Sequence, residues 1–529
     1  MKRTLEFDTL TLNANADGCR PAPGGFILSG AYLTLGLPAV PKSYYRHGWQ
    51  SWSLAAWQDP ALVIPTPRPA ILHPMQTDPV YVHDPHPNGS WIGAVEFGDG
   101  NVLLLGALGL GTHVRLDGRE LHAWNEAGTC DWFAVYGPEP QAFADYAAQL
   151  GQRFGKGRAE STLRVWCSWY SLYTEIDEQR LLDILAELDR PFDVFQIDDG
   201  WQRSIGDWEA NEKFPSGMDG IAARIREIGR RAGLWLAPLL VVPSSELYRR
   251  HRDWLLRDEK GKLVSAGFNW NEPLYALDTT HPEALDWLAG LMKKVRGWGY
   301  DYIKLDFLYA GALEGKRHTD TPREQAYRQG LGVIREALGE AYFLACGAPV
   351  VPSIGLCDAL RVGPDVAGHW DSPRDDLLLR NPTTPGTRNA IRTTVNRLWL
   401  APLVHTDPDV AYFTSRNVSL SDGQKRLLQD LALVCDYKAT SDLPGWLDQS
   451  QGAALAGFLA NRPRVERSGR YTFTLDGRPV DFSPAMPLPG RPSTLQKISG
   501  ALLGWAASKP LVLKVNNWLE KRTLKKTLE

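Results

Sequence analysis

The sequence predicts a multidomain α/β protein. A central (β/α)8 TIM barrel spans residues 161–440, an N-terminal β-sandwich precedes it over 1–160, and 441–529 holds a small C-terminal β domain plus a basic tail. Three observations predict this. Up to about residue 160 the apolar residues come in short alternating runs broken by Gly, Pro, Asn and Asp, the pattern of an all-β sandwich. Beyond it, strands alternate with helical periodicity over about 280 residues, which suits a parallel barrel. Finally, carboxylates and indoles recur where those strands end, the face on which barrel enzymes keep their chemistry.

In the first region the alternating runs include Phe26–Ser29, Ala31–Leu37, Gly93–Phe97, Val102–Leu110 and His113–Leu116. Helical spacing is scarce before Pro140–Leu150. The run Tyr44-Tyr45-Arg46-His47-Gly48-Trp49-Gln50-Ser51-Trp52 is dense in aromatics. It reads either as a loop that reaches a neighbouring site or as a local aromatic core. In the second region Leu163–Tyr170, Phe192–Ile197, Gly233–Val242, Tyr302–Phe307, Tyr342–Ala345 and Leu360–Val362 read as strands. Asp177–Leu188, Ile221–Ala232, Pro282–Val295, Glu324–Leu338, Arg388–Leu400 and Gly423–Asp436 read as helices. A doubly wound sheet is the alternative, but no G-x-G-x-x-G or P-loop follows any strand. Arg470–Leu475 and Val480–Phe482 give strand-like pieces. From Ser483 onward the chain is Pro-punctuated and carries eight basic against two acidic residues. That tail reads as an amphipathic hairpin on the barrel or an interfacial segment, with surface structure preferred.

Composition excludes several classes of function. A net charge of −3 and a pI near 6.4 leave no footprint for nucleic acid. No segment reaches the roughly 18 apolar residues of a membrane span, and the first residues lack a secretory h-region. The six Cys are scattered with no C-x-x-C pair, so a reducing, cytoplasmic setting is expected. Twenty Trp is a high count. They either fill cores or supply the flat faces that cover sugar rings.

The strand ends gather the chemistry. Trp166-Cys167-Ser168-Trp169-Tyr170 ends the first strand and Gln196-Ile197-Asp198-Asp199-Gly200-Trp201 the second. Trp235 lies in the third. Tyr302-Ile303-Lys304-Leu305-Asp306-Phe307 puts Lys304 and Asp306 on one face, where opposite charges must pair or do chemistry. Cys346-Gly347 and Arg361-Val362-Gly363-Pro364-Asp365 end later strands. One cleft would then hold Asp198, Asp199, Asp306 and Asp365 with Lys304, Arg361 and several Trp, a composition suited to a sugar. Glycoside cleavage needs one carboxylate to attack or activate water and one carboxylic acid to protonate the leaving oxygen. Asp306, beside Lys304, suits the nucleophile. Asp365, in a loop and four residues from Arg361, suits the acid. A structural ion pair at Lys304 and Asp306, and a metal held by Asp365, His369 and Asp306, are the competing readings.

These motifs together resemble glycoside hydrolase family 36 α-galactosidases of the compact bacterial and thermophilic branch. They are WQSW at 49–52, WCSWY at 166–170, FQIDDGWQ at 195–202, IGDW at 205–208, WLAP at 235–238, YALD at 275–278, YIKLDFLYAG at 302–311, CGAPVVPSIG at 346–355 and RVGPD at 361–365. The resemblance implies a β-sandwich, a barrel and a small β domain, and a retaining exo-acting enzyme for terminal α-galactosides such as melibiose or raffinose-type oligosaccharides. It makes Asp306 the nucleophile and Asp365 the acid/base. It places Asp198 and Asp199 on O4 and O6 of galactose, Lys304 on the O3 and O4 side, and Arg361 with Cys346 on the O2 side. Trp235 and Trp169 would wall the ring, Tyr170 line the pocket and Trp52 close it. No metal or organic cofactor is implied. The aromatic loop and the tail are candidate contacts for a homo-oligomer.

Two departures stand out. Thr406-Asp407-Pro408-Asp409 replaces the usual Asn-Asp-Pro-Asp, a change that reads as barrel support more than chemistry. Gly347-Ala348-Pro349 replaces the Gly-rich run of larger members and leaves the O2 pocket size open. The rival functions are therefore an α-N-acetylgalactosaminidase, a galactosyl transglycosylase and a non-catalytic sugar binder.

Overall fold

The chain forms a parallel eight-stranded barrel flanked by antiparallel sheets. In the computed structural model the described residues are 1–371 apart from 65 and 67–69, then 381–490, with scattered positions from 494 to 515. The barrel strands are Arg164–Cys167, Val194–Ile197, Arg231–Leu236, Tyr302–Leu305, Tyr342–Ala345, Ala359–Arg361, His405–Asp407 and Lys438–Thr440, numbered one to eight here. Each of one to seven pairs in parallel with its neighbour in the chain, and strand eight pairs with strand one. The Ala411 amide donates to the Ala439 carbonyl at 2.8 Å across the remaining seam. This order brings every strand's C-terminal end to one rim.

The expected strands and helices of the barrel are present with shifted ends; the helix expected over 221–232 runs Gly217–Glu227, and Arg231 and Ala232 belong to strand three. Strand three stops at Leu236, and Leu240–Val241 belongs to a separate three-stranded sheet with Ser265–Asn269 and Glu272–Ala276. Strand four stops at Leu305, because Phe307 takes a left-handed φ of 55°. Strands seven and eight were not expected. Each is three residues long and carries charge, His405-Thr406-Asp407 and Lys438-Ala439-Thr440, so neither shows an apolar run.

Before the barrel lie a six-stranded and a seven-stranded antiparallel sheet. The aromatic run is a hairpin: Ser43–His47 pairs with Ala55–Gln58, and residues 48–54 form its loop. Strand alternation sends neighbouring tyrosines to different cores. Tyr44 packs between the two sheets, while Tyr45 joins the barrel-side core and donates to the Asn396 carbonyl at 2.6 Å.

The hairpin loop is pinned to the barrel rim. Gln50 and Pro349 form a bridge, the Ser51 amide donates to the Ala348 carbonyl and the Ala348 amide to Ser51 Oγ, each at 3.0 Å. The fully buried Arg397 donates to the carbonyls of Gly48, Gln50, Ser51 and Ser53 at 2.7–3.0 Å, and to that of Val362 at 3.1 Å. A side chain on residue 347 would meet Trp52 and the Phe307 backbone at about 3 Å, and φ there is +53°, so glycine is required.

After the barrel come the helix Gln449–Ala460 and a three-stranded antiparallel sheet, Val465–Arg467, Thr472–Leu475 and Arg478–Asp481. Arg470, between the first two strands of this sheet, pairs with Glu139 and Glu96 and lies 4.2 Å over the Trp57 ring. Arg392 holds the carbonyls of Ala485, Met486 and Pro487. The expectations for the basic tail fall mostly on residues outside the described ones.

Candidate active site

A cavity of about 220 Å3 opens at the C-terminal rim of the barrel. Its walls include Asp198 and Asp199 after strand two, Trp235 in strand three, Lys304, Asp306 and Phe307 at strand four, and Asp365 after strand six. Trp169 and Tyr170 come from the turn after strand one, and Trp52 reaches in from the sandwich hairpin. Trp52 sits edge-on to Phe307, with ring centres 5.1 Å apart.

Of the residues expected at the site, Arg361 and Cys346 do not line this cavity. Both are buried, and Arg361 lies behind Asp365. Its Nη1 donates to Asp365 Oδ1 at 3.1 Å, its Nε to Asp407 Oδ2 at 2.7 Å, and its Nη2 pairs with Asp409 Oδ1 at 2.9 Å. One guanidinium is thus shared among three carboxylates.

Lys304 and Asp306 do not pair directly with each other. Lys304 Nζ donates to Asp198 Oδ2 at 3.0 Å, and Gln196 adds a second bond to that oxygen at 2.7 Å. Burial alone would lower the Lys304 pKa, but the carboxylates of Asp198 and Asp306 outweigh it and raise it well above the usual lysine value. Lys304 is therefore a fixed cation. Asp306 accepts from the Phe307 amide at 2.8 Å and from the Trp235 indole at 3.0 Å, one bond to each oxygen. Each oxygen keeps a second lone pair for further contacts. The left-handed turn at Phe307 is what aims that amide back at the side chain before it. Asp199 accepts from Gln202 at 2.6 Å and from the Trp270 indole at 2.7 Å.

Asp365 is about one-third exposed, and its carboxyl is pushed up from the usual carboxylate value. Burial raises it, Arg361 opposes, and the negative charge of Asp306 raises it further. Two carboxylates on one cavity thus stand in different surroundings: Asp306 is clasped by N–H donors, and Asp365 is driven toward its protonated form. Among the described residues no group of three or more His, Cys, Asp or Glu is arranged to hold a metal.

Several wall residues escaped sequence reasoning. Trp270 sits at the tip of the hairpin between Ser265–Asn269 and Glu272–Ala276, where it and Asn271 have φ of 49° and 61°. That tight turn with an Asn was its only signal. Met75 ends the short 3-10 helix Ala70–Met75, and Gln76 and Thr383 come from irregular segments, none with a readable periodicity. Asp407 and Asp409 carried a signal, the Thr-Asp-Pro-Asp run, which reads as barrel support but places both carboxylates on Arg361.

A profile of the melibiase family matches residues 147–342. The α-galactosidase AgaA of Geobacillus stearothermophilus is 32% identical over 186 residues, which are 32% of this chain and 24% of that protein. The α-galactosidase of Escherichia coli is 29% identical over 166 residues, 29% of this chain and 23% of that one. The stretch matched thus spans about a quarter of these curated relatives. Among solved structures, the α-galactosidase TtGalA from Thermus thermophilus, in complex with p-nitrophenyl α-D-galactopyranoside, has a TM-score of 0.87 and 47% identity. That match covers 92% of this chain and all of that one. With the barrel order, the rim cavity and a near-relative matched over its whole length, the chain belongs to the melibiase family, glycoside hydrolase family 36.

Proposed function

We propose that the protein is a retaining, exo-acting α-galactosidase that removes terminal α-galactose from melibiose and raffinose-type oligosaccharides through a covalent galactosyl-enzyme. One observation carries this: Asp306 and Asp365 line the same small cavity from different strand ends, with the acid-prone carboxyl on Asp365. At about 220 Å3 the cavity is below the roughly 300–1,000 Å3 of drug-sized sites, which favours a single terminal sugar. Support for galactose comes from TtGalA, whose structures are complexes with p-nitrophenyl α-D-galactopyranoside and with stachyose.

In this reading Asp306 attacks the anomeric carbon while Asp365 gives its proton to the leaving oxygen. Asp365 then takes a proton from water, and the water releases galactose with its configuration kept. Asp198 and Asp199 hold O4 and O6, and the Lys304 cation takes the O3 and O4 side. Trp169 and Trp235 cover the ring, Tyr170 borders it and Trp52 caps it. Arg361, held away from the cavity by its three carboxylates, acts on Asp365 more than on the sugar. We place the enzyme in the cytoplasm, in keeping with six free cysteines. No described helix is long and apolar enough to cross a membrane.

The test uses matched nitrophenyl glycosides. Turnover of the α-galactoside is expected, with little on its N-acetylated analogue. Preference for the N-acetylated substrate would replace galactosidase with N-acetylgalactosaminidase. In Asp306→Ala turnover should vanish, and azide should restore it as the β-galactosyl azide. In Asp365→Ala, substrates with good leaving groups should survive and azide should give the α-anomer. The reverse pattern of azides would mean that the two roles are exchanged.

A further inference from the structure

We propose that Asp409 is a positioning residue for the acid/base: buried behind the cavity, it anchors the backbone beside Asp365 and competes with Asp365 for the Arg361 guanidinium. The inference rests on the reading of Asp365 as acid/base and deepens it.

The geometry is specific. Asp409 follows strand seven with a left-handed φ of 82° and a side chain that is 0% exposed. A non-glycine residue in that region is strained and persists only where its surroundings fix it. Here the Asp409 amide donates to Asp407 Oδ1 at 2.8 Å, and its own Oδ1 accepts from the Val410 amide at 2.9 Å. The carboxylate then reaches Asp365 by two routes. Its Oδ2 accepts from the amide of Val366, the next residue after Asp365, at 3.0 Å. Its Oδ1 pairs with Arg361 Nη2, whose Nη1 donates to Asp365. Tyr170, on the cavity wall, also donates its hydroxyl to Asp409 Oδ2.

Charge counting gives the consequence. Arg361 faces Asp365, Asp407 and Asp409, three carboxylates against one guanidinium. Lys304, Asp306 and Asp198 also act on Asp365 from strands four and two, and Tyr170 and Tyr412 border both carboxylates. Burial raises Asp409 to about 7, against the pull of Arg361 and with added push from Asp365 and Asp407. While Asp407 and Asp409 hold two arms of the guanidinium, Asp365 receives one. Its carboxylate form is then only partly stabilised, which keeps a proton on it for the leaving group. A residue that only supported the barrel would have no reason to touch Val366, Tyr170 and Arg361 together.

The test is Asp409→Asn in the full chain, which removes the charge and keeps the shape. The expected result is a basic limb of kcat/KM displaced to lower pH by about one unit, with melibiose slowed about ten-fold at neutral pH. A dinitrophenyl galactoside, which needs no acid, should change less than about three-fold. Asp407→Asn takes the same charge from the Nε side and should move the limb the same way, so it carries the test if Asp409→Asn does not fold. A limb that stays in place or moves up, with only thermal stability lost, would overturn the proposal. Asp365→Ala separates the two readings. If its basic limb matches that of the unmutated enzyme, Asp365 is not the acid and the reading beneath the proposal fails.

Discussion

The Trp235 indole donates to Asp306 Oδ2 while its ring lines the cavity, so one side chain both bounds the cavity and fixes Asp306, the proposed nucleophile. Trp235→Phe keeps most of the ring surface and removes the N–H. A hydrogen bond to a charged group contributes about 1.5–3 kcal/mol, so kcat should fall by roughly ten-fold or more with KM moved much less. A raised KM with kcat unchanged would show that Trp235 serves binding alone. Asp365, the proposed acid, has its own pH signature. Because the Asp365 pKa is raised in the folded enzyme, the protonated acid persists to higher pH than a free carboxyl would allow. The kcat/KM of melibiose should therefore fall on the basic side at a pH above the ordinary aspartate range, and Asp365→Ala should abolish that limb.

At the scale of elements, the site depends on a loop from outside the barrel. Arg397 holds four carbonyls of the 48–53 hairpin loop and one on the segment that leads to Asp365. Removing it leaves those carbonyls unpaired in the interior, at about 1–3 kcal/mol for each that water cannot reach. Arg397→Met should lower Tm and release Trp52, raising KM before kcat. A melting temperature unchanged from the unmutated protein would show that the hairpin is held by other contacts. Much of the arrangement was legible in the sequence. Alternation in Tyr302–Phe307 put Lys304 and Asp306 on one face, and the ends of strands one, two, four and six named most of the cavity wall. The illegible parts have physical reasons. Strands seven and eight are too short and charged to show a period. Trp270 arrives on an excursion between strands. The link between Arg361 and Asp409 joins positions that only the barrel's closure brings together.

At the scale of the whole molecule, sandwich and barrel share a buried charge cluster. Arg323 from the barrel pairs with Asp78 at 3.0 Å and Glu126 at 2.9 Å, and Glu126 also meets His113 at 2.6 Å. Glu324 accepts from the Trp91 indole at 2.9 Å. Breaking a buried pair by removing one partner costs about 3–5 kcal/mol, so Arg323→Ala should loosen this junction. Against the cost of burial, the His113 hydrogen bond and the Arg323 charge lower the Glu126 pKa from 4.5 to about 2. A depressed carboxylate adds stability that is fully present above its unfolded value and lost as pH falls toward the folded one. The stability gap between the unmutated protein and Glu126→Gln should therefore shrink as pH falls from about 4.5 toward 2. A gap that is constant with pH would remove Glu126 from the acid response.

The most direct measurement of the central claim is peptide mapping after incubation with a slow fluorinated α-galactosyl donor. The account predicts one galactosyl adduct, on the peptide carrying Asp306, and none in Asp306→Ala. A label on Asp365, or turnover with no covalent adduct and galactose released first in the inverted configuration, would contradict it.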